Sequence, residues 1–96
     1  MNFVWDVKKE ESNKKTHGLD FSFAEAVFAD PLRVTAYDRF ENGEDRYHAL
    51  GIVGGGYTIL LVVYAMPDPD DDELIRVISL RQATARERKN YAEHQG

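Results

Sequence analysis

Arginines in strand-like sequence are the residues most able to do chemistry in this chain. Arg76, Arg81, Arg86 and Arg88 all fall within Leu74 to Tyr91, although the whole chain carries a net charge of −5. That segment reads as one strand running into one short helix. A guanidinium within an apolar strand is costly unless a carboxylate or phosphate holds it. On an earlier strand, alternation sets Arg46, His48, Leu50 and Ile52 on one side, and on the strand before it Arg33, Thr35 and Tyr37. On the last strand, alternation puts Ile75, Val77, Ser79 and Arg81 on one side and Leu74, Arg76, Ile78 and Leu80 on the other. One sheet face could therefore gather Arg46, His48, one arginine of the last strand, and Tyr37 or Arg33. Such a set suits RNA cleavage without a metal. A base takes the proton of the ribose 2′-hydroxyl, arginines neutralise charge on the phosphorane-like transition state, and a third group protonates the leaving oxygen.

Each of these residues also has an ordinary structural use. Arg76 fits an ion pair. Arg81, at a strand end, fits a hairpin cap or a helix C-terminus. His48 fits a satisfied strand histidine, and His17 fits a helix-terminal residue bonding the last carbonyls. Glu87 fits a capping box. The glycines at 54 to 56 lie between strands and precede no helix, so they read as a turn and not as a phosphate cradle.

The elements that must position these groups follow from local signals. Asp6 suits a helix N-cap and Gly18 the left-handed position that closes a helix, so Val7 to Thr16 is predicted helical. That helix is polar throughout, and its ends, at Trp5 and at His17-Gly18, are expected to hold it. Ser22-Phe23-Ala24-Glu25 matches a capping box opening a second helix, which Pro31 stops. Leu32 to Tyr37 and Asp45 to Val53 read as strands around the hairpin signal Asn42-Gly43. Tyr57 to Ala65 is β-branched and aromatic, as a central strand would be. Leu74 to Leu80 is the fourth strand. Thr84-Ala85-Arg86-Glu87 is a second capping box, opening a C-terminal helix. The expected fold is α+β: two N-terminal helices, a four-stranded mainly antiparallel sheet and a C-terminal helix, with helices over one sheet face and the other face free.

Composition sets the outer limits. Ninety-six residues suit a single domain, 1–96, and 43% hydrophobic residues can fill one modest core. The chain has no cysteine, which excludes disulfides, thiolate nucleophiles and Cys-type zinc sites. Its three histidines show no metal-binding spacing, and no cofactor or metal is expected. No apolar run approaches the roughly 20 residues of a membrane helix, and no signal peptide opens the chain, so a cytoplasmic protein is expected. Asp68, Asp70, Asp71, Asp72 and Glu73 concentrate the acidity in one run. Without those five, twelve acids face twelve bases, which leaves room for a local basic surface.

Taken together these pieces resemble the BrnT toxins of bacterial type II toxin–antitoxin pairs. The resemblance rests on Phe3-x-Trp5-Asp6-x-x-Lys9, Asn13-x-x-x-His17-Gly18 and Phe21-x-x-Ala24-x-x-Val27-Phe28-x-Asp30-Pro31. It continues through Asp45-Arg46 and Gly51. It closes with Ile75-Arg76-Val77-Ile78-Ser79-x-Arg81-x-Ala83 and Glu87-Arg88-x-x-Tyr91. It implies a RelE-like ribonuclease fold, an RNA substrate and arrest of translation. It also implies a BrnA-like ribbon-helix-helix antitoxin joined in a hetero-oligomer, with operator DNA reached only through that partner. By position the family's arginines would be Arg46, Arg76 and Arg81, and its basic histidine His17. Thr16 stands where the family usually carries lysine, and Asp45 where it carries glutamate.

Two functions compete. One is an RNA-cutting toxin using Arg46, Arg76 and Arg81 on phosphate, with His17 or His48 as acid or base. The other is a degenerate module that only docks an antitoxin and modulates promoter repression. The first requires the guanidinium groups to converge where solvent can reach them; arginines each locked to an internal acid would favour the second.

Overall fold

The computed structural model describes residues 1–55 and 58–95. Asp6 opens the first helix as its side chain allows, its carboxylate accepting the Lys8 N–H at 2.8 Å. The elements run β1 (Asn2–Trp5), α1 (Val7–His17), α2 (Phe23–Ala29), β2 (Val34–Glu41), β3 (Glu44–Val53), β4 (Thr58–Ala65), β5 (Leu74–Gln82) and α3 (Ala85–Glu93). The sheet order is β1-β5-β4-β3-β2. Asn42 and Gly43 both take positive φ, 51° and 78°, and make the two-residue turn between β2 and β3 that their types demand. Gly56 and Tyr57, part of the expected glycine turn and strand start, lie outside the described residues.

The four-stranded, mainly antiparallel expectation is corrected. The sheet has five strands and is mixed, because Asn2–Trp5 pairs in parallel with Leu74–Val77. A four-residue strand that ends on a helix cap is too short to show a period, and its partner lies some seventy residues away. The second sheet face, expected to be free, is not. Phe21, Ala24, Val27 and Phe28 of the α2 region pack on one side against Ala49, Leu60, Val62, Tyr64, Ile75, Val77 and Leu80. On the other side α3 brings Tyr91 against Leu50, Leu61, Val63 and Ala83. Helices therefore occupy both faces, and only part of the second stays open.

Two local devices also differ from expectation. Ser22 makes no cap bond with its side chain; it is itself held by Asp20, which accepts its N–H at 3.0 Å. And α1 is anchored at its middle as well as its ends. Buried Asn13 donates to the Leu80 carbonyl at 2.8 Å and accepts the Leu80 N–H at 3.1 Å. β1 pairs with β5 only as far as Val77, so the amide of Asn13 takes over the bare strand edge where β1 stops. Glu10 adds a bond from the Phe21 N–H at 2.9 Å. These contacts explain how so polar a helix holds its place beside β5.

Candidate active site

Strand irregularity builds the site. On β5, Ser79 pairs with Val63 but Val77 pairs with Tyr64, so Ile78 is an extra residue. Arg76 and Arg81 are five positions apart, and regular alternation would set them on opposite faces. The bulge returns both to the α3 face, while Val77 and Leu80 both stay in the core on the α2 side. A second register shift, between Tyr37 and Arg39 on β2, leaves Asp38 unpaired. Its carboxylate then meets His48 Nδ1 at 3.0 Å.

Across this face the strands form rows. His48 stands opposite Val63, and Val63 opposite Ser79. Leu50, Leu61 and Arg81 form the next row on one side. On the other, Arg76 stands opposite Ala65, Arg46 lies one residue beyond the Tyr47–Tyr64 pair, and Glu44 links the two arginines. A carboxylate can only accept, so Asp38 selects the tautomer with the proton on Nδ1, and the Nε2 lone pair remains for a substrate. His48 borders a cavity of about 470 Å³ that Arg86, Lys89 and Glu87 of α3 also line. Arg81 lies beside this pair. It grips Glu87 in a two-pronged bond of 2.7 and 3.0 Å. Those bonds, and further off the charge of Asp38, hold the Arg81 guanidinium above its usual range. The same pairing, with the Thr84 N–H assisting, holds the Glu87 carboxyl down at about 2.

His17 closes α1 and lines a groove of about 250 Å³ with Lys9, Ser12, Thr16, Ile78 and Ser79. The two strand spacings between His48 and Ser79 amount to about 10 Å. The two histidines thus border one strip of sheet from opposite sides.

Arg46 and Arg76 share the face but not the exposure. Arg46 is only 5% exposed. Its Nη1 donates to Glu41 at 2.6 Å and its Nη2 lies 3.6 Å from Glu44, which also binds Arg76. All three arginines are therefore paired with carboxylates of the chain. Arg33 and Tyr37 do not join them. Arg33 lies over the Phe28 ring, 5.7 Å from its centroid, and Tyr37 packs on Tyr47 and donates to Asp45 at 2.9 Å, both on the opposite face. A larger cavity of about 570 Å³ is lined by Arg76 together with Glu44, Asp45, Asp68 and Asp72. Sequence reasoning passed over Asp38 and Lys89. Asp38 carries no local signal, since only the β2 bulge turns it toward His48. Lys89 stood one helical turn from Arg86, which was already singled out.

No curated protein matches the chain. A family model described as the ribonuclease toxin BrnT of type II toxin–antitoxin systems matches residues 5–87, a span that takes in α1, both bulged strands and the Arg81–Glu87 pair. On that match, the chain belongs to the BrnT family of type II toxin–antitoxin ribonuclease toxins.

Proposed function

We propose that this chain cuts RNA by internal attack of a ribose 2′-hydroxyl and so arrests translation in the cytoplasm. The observation that carries the reading is the Asp38–His48 pair beside Arg81. His48 Nε2 takes the 2′-hydroxyl proton while O2′ attacks phosphorus. Arg81 offsets the added negative charge on the non-bridging oxygens. The P–O5′ bond breaks, and the departing oxygen takes a proton from His17 across the strip. The products are a 2′,3′-cyclic phosphate and a free 5′-hydroxyl. Arg86 and Lys89 sit where they can hold the flanking backbone, and Arg46 and Arg76 form a further basic row. The antitoxin would be a BrnA-like ribbon-helix-helix protein in a hetero-oligomer, and operator DNA would be met only through it.

The pairing of each arginine with a carboxylate favours a second reading, a toxin that no longer cuts and only docks its antitoxin. One assay separates the two. Purified chain is incubated with RNA in a chelator, and the new ends are mapped. Cyclic-phosphate ends that vanish with H48A and R81A support the first reading. A folded wild type that leaves RNA whole, and does not slow growth when induced in a bacterial host, supports the second.

A further inference from the structure

Arg46 is the most buried cation in the open half of the sheet among the described residues, and one of its donors is unanswered. Its Nε is buried and finds no hydrogen-bond partner among the described residues. An orphaned donor at this depth is unusual, and it points to an acceptor that the resting chain does not supply. The carboxylates that meet the rest of the guanidinium come from the ends of the β2–β3 turn. Glu41, 44% exposed, accepts from Arg46 at 2.6 Å and from Arg39 at 2.7 Å. Glu44 spans Arg46 and Arg76. Two guanidinium groups bridged by carboxylate oxygens have the chemistry of a phosphate seat.

The placement matches a nucleotide strand. The Arg46–Arg76 row lies two residues along the strands from the His48 row, about 6.7 Å. That is of the order of one nucleotide step along an extended single strand. We infer that Arg46 and Arg76 form a subsite for the phosphodiester next to the one being cut, and that Glu41 and Glu44 occupy it until RNA displaces them. The inference rests on the ribonuclease reading for its geometry, but its test reads binding alone. A seat filled by its own carboxylates makes RNA affinity low in a chain that still carries the full set of arginines. It also explains how an acidic protein can keep those arginines without binding nucleic acid indiscriminately.

The probe is a 2′-O-methyl oligoribonucleotide, which keeps its phosphates and cannot be cut by 2′ attack. Its dissociation constant is measured by fluorescence anisotropy over a range of salt. E41Q/E44Q should bind about tenfold tighter than wild type, with a steeper salt slope because one more phosphate is neutralised, about 0.7 in the log–log plot. E41Q alone, at the more exposed site, should give a smaller gain of about threefold. It keeps the test decisive if the double variant does not fold. Adding R76A should erase the gain. E25Q makes the same single charge change as E41Q on the far side of the molecule and should leave affinity unaltered. Affinity and slope equal to wild type in folded E41Q, or an equal gain from E25Q, overturn the subsite. If the variants bind tighter but no form cuts native RNA, the subsite stands and the ribonuclease reading falls. If wild type cuts RNA and the substitutions change no binding, the reverse holds.

Discussion

Which nitrogen of His48 Asp38 occupies decides what the ring can do. With Nδ1 donating to Asp38 at 3.0 Å, Nε2 is the nitrogen left to act as a base. An asparagine at position 38 can donate to Nδ1 and favour the wrong tautomer. D38N should therefore lower kcat by about 100-fold with little change in KM. A loss confined to KM would show that Asp38 only shapes the binding surface. Glu87 carries two roles at once, completing the Thr84 capping box and gripping Arg81. Its carboxyl sits at about 2 in the fold against an ordinary 4.5. A depressed acid stabilises the fold above its unfolded value, and that contribution is lost as pH falls toward the folded one. Wild type should be more stable than E87Q at pH 7, and the gap should close between pH 4.5 and 2. Urea midpoints across that range provide the check, and a constant gap would contradict the assignment.

The elements hold the site through two tight devices. Gly51 on β3 lies under α2: a Cβ there would sit 2.6 Å from the Val27 carbonyl oxygen and 2.9 Å from its Cγ1. Backbone cannot yield as a side-chain tip can. G51A should lift α2 from the sheet and cost about 1–3 kcal/mol by urea denaturation. Asn13 supplies both bonds that finish the β5 edge. N13A leaves a buried donor and acceptor unmet and should cost about 1–3 kcal/mol for each. It should also loosen the groove that carries His17, seen as faster amide exchange at Leu80. Unaltered exchange there would mean that α1 is held mainly by its caps.

At the scale of the molecule, Asp30 ties the two packed layers together. It ends α2, accepts the Leu32 and Ile52 N–H groups at 2.8 Å each, and receives the Tyr91 hydroxyl from α3 on the other side of the sheet. Burial pushes its carboxyl up, but these bonds and the nearby Arg33 outweigh it and leave Asp30 below the usual value of 3.8. The same burial, with the bond to Asp30, pushes Tyr91 up to about 12. Y91F removes one of the acid's donors. It should lower stability at neutral pH by about 1–3 kcal/mol, and the deficit should shrink in acid as Asp30 protonates. A deficit that does not change down to pH 2 would sink the coupling. Two residues that first stood out as family motif, Asp30 and Tyr91, therefore act here as internal joints.

Residue order alone determined the caps at Asp6, Gly18 and Thr84, the Asn42-Gly43 turn and the strand character of β2 to β5, because each depends on neighbours within a few positions. It also marked Arg46, Arg76, Arg81, His17 and His48 as candidates for chemistry. Only the tertiary structure decided that β1 completes a mixed sheet and that α3 covers part of the second face. It alone turned Arg76 and Arg81 to one side, brought Asp38 to His48, and set Glu41 and Glu44 against Arg46. The physical reason is that a bulge of one residue reverses which way every later side chain points. Pairing between distant strands then chooses which charges meet, and neither effect leaves a periodic trace in the chain.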